Sequence, residues 1–284
     1  MQIELERQKL CIYTIKNKFM DLSSLLVKAI NSSIEGGHAI MEIYDSDFIV
    51  EHKSDNSPLT LADKNCHNKI IKSLESTTLP VLSEEGIHTS YEERKKWNYF
   101  WLVDPLDGTK EFVKRNGEFT VNIALIYNQI PILGVVYVPV KKELYFASKD
   151  VGSYKIKINS CIDDLNQIID KAKKLPINYK RDNYVIVGSR SHMSTETKLF
   201  FEEIEKEYGS VEILSVGSSL KLCMVAEGKA DCYPRYAPTM EWDTAAGHAI
   251  VRYAGFSINQ YNSDIEVVYN KKDLLNPWFL VKKP

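Results

Sequence analysis

The segment Asp104-Pro105-Leu106-Asp107-Gly108-Thr109 sets two carboxylates three residues apart. Pro105 fixes one backbone angle and Gly108 permits a tight turn, so both acids can converge on one point. Carboxylates brought together repel one another unless a cation sits between them, and a donor set made only of oxygen suits a hard ion such as Mg2+. Taken alone, the segment reads equally well as an acidic surface turn. An EF-hand calcium loop starting at Asp104 would need a bidentate glutamate at its twelfth position, where Arg115 stands. Phosphatases that form an aspartyl-phosphate use an Asp-x-Asp pair, whereas two residues separate Asp104 from Asp107. The spacing favours metal-activated water over a carboxylate nucleophile.

Further acids lie where turns are expected. Glu84 and Glu85 follow the apolar run Pro80-Val81-Leu82, and Asp243 follows Glu241-Trp242 and opens the small-residue run Asp243 to Val251. Asp63 falls in the first turn of a segment introduced by Pro58 and Thr60. Asp63 and Asp243 also read as ordinary helix-capping acids, and Thr109 as a turn hydroxyl.

These residues need elements to carry them. Leu22, Leu25, Leu26, Ala29 and Ile30 recur at helical spacing from Asp21 to about Tyr44, and Ala62, Cys66, Ile70 and Leu74 do so in a second helix. Short strands at 80–82 and 99–103 end in Ser83-Glu84 and Asp104, so pairing them side by side would bring the acids together. Thr120 to Tyr127, Ile132 to Val138 and Glu143 to Ala147 are β-rich runs joined by short turns, which predicts an antiparallel meander. From about Cys161 the pattern alternates: helix to Ala172, strand 184–187, helix 194–208, strand 211–216, helix 219–227, with a further short strand before Arg235. The expectation is an α/β protein, α+β in its N-terminal half over 1–160 and α/β in its C-terminal half over 161–284.

Bulk properties exclude several classes. Lys and Arg number 36 against 38 acids, so no whole-molecule field would gather a nucleic acid polymer or an acidic membrane. Five widely spaced cysteines without a Cys-x-x-Cys pair indicate neither a disulfide framework nor a zinc cluster. Residues 1–19 lack the uninterrupted apolar core of a secretory signal, which makes the cytoplasm the default compartment. Thr120 to Val140 is nearly long enough to span a bilayer, but Asn122, Asn128, Gln129, Pro131 and Pro139 interrupt it and favour two buried strands. Contact with a membrane surface is left open, as is the oligomeric state.

Together, Leu82-Ser83-Glu84-Glu85, the hexapeptide from Asp104 to Thr109 and Glu241-Trp242-Asp243-Thr244-Ala245-Ala246-Gly247 resemble the signature of the inositol monophosphatase superfamily. Asp107 to Phe112, Gly117 to Asn122, Gly188-Ser189-Arg190-Ser191-His192 and Tyr233-Pro234-Arg235 resemble, within it, the bacterial 3'(2'),5'-bisphosphate nucleotidases of sulfate assimilation. The likeness covers the chain from about Met20 onward.

The resemblance implies a layered αβαβα sandwich and a phosphatase dependent on two or three Mg2+ ions and sensitive to lithium. It implies metal ligation by the side chains of Glu84, Asp104, Asp107 and Asp243 and by the Leu106 carbonyl. Thr109 would orient the attacking water and Asp63 or Glu84 would accept its proton. The phosphate would meet backbone N–H groups at Gly108 and Thr109, and Ser218, Lys221, Arg235 and His192 would meet the rest of a nucleotide. His192 also reads as an ordinary loop histidine, and Lys221 and Arg235 as solvated charges. The substrate implied is a small phosphorylated nucleotide, adenosine 3',5'-bisphosphate first and its 3'-phosphosulfate analogue second. The alternatives are an inositol or sugar monophosphatase and, further off, a phosphate-binding regulator without turnover.

Overall fold

The computed structural model describes residues 21–52, 58–87, 89–188 and 194–283. Helix α1 (Leu22–Tyr44) begins where the Asp21 carboxylate accepts the N–H groups of Ser23 and Ser24. It turns Leu22, Leu26, Ile30 and Ile34 inward. A small antiparallel pair, β1 (Val50–His52) and β2 (Pro58–Thr60), leads into α2 (Leu61–Leu74). A reciprocal capping box closes the start of α2: Thr60 accepts from the first turn, while Asp63 accepts the Thr60 N–H.

Next come β3 (Val81–Ser83), the one-turn α3 (Tyr91–Arg94), β4 (Tyr99–Asp107) and the short α4 (Thr109–Val113). The expected meander follows as β5 (Thr120–Tyr127), β6 (Ile130–Val138), β7 (Glu143–Ser148) and β8 (Gly152–Lys157), and α5 (Asn166–Ile169) precedes the two-residue β9 (Lys173–Lys174). These strands form one seven-stranded sheet in the order β3 to β9, with β3 parallel to β4 and every later pair antiparallel. A division near residue 160 would fall inside this sheet, between β8 and β9. The run Thr120 to Val140 is two buried strands, and no helix among the described residues is long and apolar enough to cross a membrane.

The expected helix at 161–172 contracts to α5. Ile162, Leu165 and Ile168 are buried at spacing three, which mimics a helix, but Asp164 accepts the Asn166 N–H in a local turn that competes with helical continuation.

The second half builds β10 (Tyr184–Gly188), α6 (Thr195–Tyr208), β11 (Val211–Ser215), α7 (Leu220–Glu227), β12 (Cys232–Arg235), α8 (Glu241–Tyr253), β13 (Ser257–Gln260) and β14 (Phe279–Lys282). Their sheet runs β11-β10-β12-β14-β13, parallel over its first three strands and antiparallel beyond.

Helices α1 and α2 cover the outer face of the large sheet around Trp101, Val103, Val121 and Val135. Its other face packs on α7 and α8, whose far side meets the smaller sheet, and α6 closes that sheet around Ile186 and Phe201. The result is the αβαβα layering. The middle layer sits very close to the large sheet: a Cβ at Gly134 of β6 would lie 2.4 Å from the Ala246 carbonyl of α8. That approach is open only to glycine.

Candidate active site

Strands β3 and β4 run in parallel with Ser83 beside Val103, and Glu84, just past β3, donates its N–H to the Val103 carbonyl at 3.1 Å. Glu84 and Asp104 are thereby brought to one edge of the sheet. In a regular strand, residues three apart face opposite sides, but the ladder of β4 slips between Asp104 and Asp107. Asp243 arrives from another layer, in the first turn of α8, with its Oδ2 held at 2.8 Å by the Met240 N–H. Carboxylate oxygens of Glu84, Asp104 and Asp243 all lie within 4.8 Å of one another. Asp107 stands beside this trio and lines the same cavity. Its Oδ2 accepts the Ser219 N–H at 2.6 Å and lies 2.8 Å from the Ser219 hydroxyl.

At 4.8 Å two unit charges cost about 3 kcal/mol at an effective dielectric constant of about 20, so the trio is strongly unfavourable as three bare anions. Burial, reinforced by the charges of Glu84, Asp107 and Asp243, pushes the Asp104 carboxyl well above the usual carboxylate range. Burial and the charge of Asp107 push Asp243 up to about 8. Oδ1 of Asp104 accepts the Leu106 N–H at 3.1 Å, and its buried Oδ2 has no hydrogen-bond partner among the described residues. An orphaned buried oxygen amid converging oxygens is what a hard divalent cation satisfies. The residues fit such an ion.

Asp63 is buried behind the cavity rather than lining it. Its Oδ2 accepts from the Thr60 N–H and hydroxyl, both at 2.7 Å, and its Oδ1 accepts the Thr109 hydroxyl proton at 3.1 Å. Burial raises the pKa of Asp63. Thr109 sits on the cavity wall with its hydroxyl 3.1 Å from Asp63 Oδ1 and 3.3 Å from the Leu106 carbonyl, and donation to either leaves oxygen lone pairs for a donor in the cavity. The turn that places it depends on Gly108, whose φ of 93° is left-handed and whose added Cβ would lie 3.2 Å from the Glu118 carbonyl.

A second cavity, of about 160 Å³, adjoins the acidic one and shares Asp107, Gly108 and Asp243 with it. Ser218, Lys221 and Arg235 line it. Lys221 is buried, donates from Nζ to the Ser218 carbonyl at 2.6 Å and lies 5.8 Å from the centre of the Tyr233 ring. Burial lowers its pKa to about 8. Arg235 donates from Nη2 to the Pro238 carbonyl at 2.8 Å and keeps a buried Nε without a partner among the described residues. Ser218 adopts φ 47°, at the turn that starts α7. His192 lies outside the described residues.

Ser219 and Asn122 escaped the sequence reading. Asn122 pairs with Asp104 across the β4–β5 ladder, donates to the Ser219 hydroxyl at 2.9 Å and reaches Asp107 Oδ2 at 3.4 Å. The signal was an amide inside an apolar strand, which the sequence offers as an interruption of a membrane-length run and as the end of the motif Gly117 to Asn122, without a role of its own in the site. Ser219 left no comparable mark.

Comparison with known proteins follows the same lines. The model of the inositol monophosphatase family matches residues 21–279. The chain is 43% identical over 249 residues to the 3'(2'),5'-bisphosphate nucleotidase CysQ of Salmonella typhimurium, covering 86% of this chain and 94% of the relative. It is 43% identical over 241 residues to the protein of the same name from Buchnera aphidicola, covering 84% of each. Among solved structures, CysQ from Bacteroides thetaiotaomicron superposes with a TM-score of 0.86 at 50% identity, over 93% of this chain and 98% of that one. An inositol monophosphatase from Thermotoga maritima shares the fold, with a TM-score of 0.69 at 22% identity over 93% of this chain and 92% of its own.

Proposed function

The chain belongs to the inositol monophosphatase family, and on that premise we propose that it is a Mg2+-dependent 3'(2'),5'-bisphosphate nucleotidase. It converts adenosine 3',5'-bisphosphate to AMP and phosphate in the cytoplasm, and the 3'-phosphosulfate analogue is a second substrate, in support of sulfur assimilation. The observation that carries this reading is the pairing of two adjoining cavities, one walled by the acidic trio and the other by Lys221 and Arg235. The acidic wall, with cations held by its carboxylates, would take the phosphate to be removed. The basic wall takes a second anionic group on the same small molecule, which a monophosphate lacks.

Glu84, Asp104, Asp107 and Asp243, with the Leu106 carbonyl, would hold two or three Mg2+ ions. When bound, these supply positive charge to the phosphate oxygens and make nearby water more acidic. Thr109, whose hydroxyl reaches Asp63 at the shorter of its two donor contacts, accepts a hydrogen bond from the attacking water and fixes its direction. Asp63 through Thr109, or Glu84 directly, receives the proton released as that water attacks. The N–H groups of Gly108 and Thr109, at the left-handed turn, meet the phosphate oxygens. No side chain becomes covalently attached. Lys221 and Arg235 hold the 5'-phosphate, with Ser218 and His192 also on the nucleotide.

The test compares kcat/KM for adenosine 3',5'-bisphosphate, adenosine 3'-monophosphate and inositol 1-phosphate at saturating Mg2+, for the parent and for Arg235→Ala. The bisphosphate is expected to lead by about 100-fold, in line with a desolvated charge-assisted contact worth up to about 3 kcal/mol. In Arg235→Ala that lead over the 3'-monophosphate collapses. Faster turnover of inositol 1-phosphate would reassign the chain to the inositol monophosphatases of the same family.

A further inference from the structure

The sequence Leu274-Leu275-Asn276 carries no pattern of an element, yet it packs on the stretch that leads into α8. Glu241 donates its N–H to the Leu274 carbonyl at 2.9 Å, Met240 and Leu275 form an isolated antiparallel bridge, and Asn276 donates its N–H to the Thr239 carbonyl at 2.8 Å. The Asn276 side chain, 4% exposed, then spans the helix start. Its Nδ2 donates to the Met240 carbonyl at 2.7 Å and to the Thr244 hydroxyl at 3.0 Å, with Thr239 Oγ1 further off at 3.3 Å. One amide thus ties the residues on both sides of Asp243.

This matters because Met240 sets the direction of the Asp243 carboxylate. The Met240 N–H that holds Oδ2 belongs to the Thr239–Met240 peptide, whose carbonyl accepts the Asn276 N–H, while the Asn276 side chain holds the next peptide through the Met240 carbonyl. Asn276 thus grips the backbone on both sides of the Met240 Cα, and that backbone decides where the remaining oxygen points. Asp243 must be kept against the like charges of Glu84 and Asp104 before any cation relieves them. The capping bond from the Met240 N–H fixes one carboxylate oxygen, but the first turn of a helix, where backbone bonds are fewest, does little to hold the Met240 backbone itself in place. The amide is also an uneven stabiliser: it gives two hydrogen bonds, while its buried Oδ1 has no partner among the described residues. A buried acceptor left unpaired subtracts stability.

We infer that Asn276 is a positioning residue for the metal site, holding the Asp243 carboxylate in its ligating direction through Met240 and Thr244. The inference rests on the reading of Asp243 as a metal ligand and is independent of which phosphate ester is cleaved. A residue that aims a ligand without touching the ion typically changes metal affinity by about 10- to 100-fold.

The experiment measures Mn2+ binding to the nucleotide-free full chain by electron paramagnetic resonance, together with the Mg2+ concentration that gives half-maximal turnover. Asn276→Ala is expected to weaken Mn2+ binding by about tenfold or more and to raise the half-saturating Mg2+ alike, with KM at saturating Mg2+ moving far less. Val281→Ala, a fully buried core change in β14 away from residues 239–244, serves as the control that lowers the melting temperature and leaves Mn2+ binding unchanged. If Asn276→Ala does not fold, Asn276→Asp keeps the side-chain shape, removes the donor and is expected to weaken binding in the same way. Parent-like Mn2+ binding in folded Asn276 variants, or an equal loss in Val281→Ala, overturns the inference. A parent that binds no Mn2+ overturns the metal-ligand reading and this inference with it. A parent that binds Mn2+ but does not cleave the nucleotide defeats only the substrate assignment, and the binding comparison still decides the role of Asn276.

Discussion

Asp104 occupies a position that a carboxylate tolerates poorly on its own, buried beside three other acids with one oxygen unpaired among the described residues. Its substitution should therefore separate stability from activity. Asp104→Asn removes a like charge from the cluster, so in EDTA the variant should melt higher than the parent by a few degrees, the effect of about 1 kcal/mol in a chain of this size. Adding Mg2+ should raise the melting temperature of the parent and leave the variant almost unmoved, and phosphate release by the variant should fall by about 1,000-fold or more. Scanning calorimetry with and without Mg2+, paired with a phosphate assay, checks all three. A variant that loses stability in EDTA and still gains it from Mg2+ would remove Asp104 from the site. The residues legible in the sequence were charged ones with a chemical reason to be close. Ser219, Asn122 and Asn276 were illegible because a neutral hydrogen-bonding side chain leaves no periodicity and no charge imbalance, and its partners are set by tertiary contact.

Elements carry these residues by local rules that the sequence does state. The Thr60–Asp63 capping box fixes the start of α2, and the alternation of apolar runs with short turns gives β5, β6 and β7 within a residue or two of where they lie. β13 and β14 escaped because Ser257-Ile258-Asn259-Gln260 buries only Ile258, which is too little for a period, and because their pairing is antiparallel in a region that otherwise alternates. The slip in β4 is equally silent, although it turns Asp104 and Asp107 toward related ends.

One junction between elements yields a pH prediction. Glu227, on α7, accepts the Tyr145 hydroxyl of β7 at 2.8 Å, the Tyr179 hydroxyl at 2.7 Å and Lys155 Nζ of β8 at 3.1 Å, joining the middle layer to the large sheet. Burial pushes its carboxyl up, but Tyr179, Lys155 and Tyr145 outweigh burial and hold it down to about 2. A lowered native pKa stabilises above the unfolded value and is lost as pH falls through the native one. The gain, about 3 kcal/mol, should be full above pH of about 5 and gone near pH 2. Glu227→Gln should lower the melting temperature by several degrees at pH 7, with the gap from the parent closing steadily below pH of about 5. A gap that stays constant down to pH 3 would contradict this.

At the scale of the whole molecule, the acidic trio does not belong to any one layer. Glu84 and Asp104 come from the large sheet and Asp243 from the helix layer packed on it, while Lys221 and Arg235 come from α7 and the smaller sheet. The site exists only when the layers close, and the glycine contact between Gly134 and Ala246 is part of that closure. The alternation of elements announced the layering in outline, whereas the distance between layers is a packing result that no local pattern encodes. The measurement that bears most directly on this account is a crystal structure grown with Mn2+, AMP and phosphate, with the ions located by anomalous scattering. The account predicts Mn2+ in contact with Asp104 and Asp243, phosphate against Gly108 and Thr109, and the nucleotide 5'-phosphate beside Lys221 and Arg235. Mn2+ bound away from Glu84, Asp104 and Asp243, with phosphate elsewhere, would contradict it.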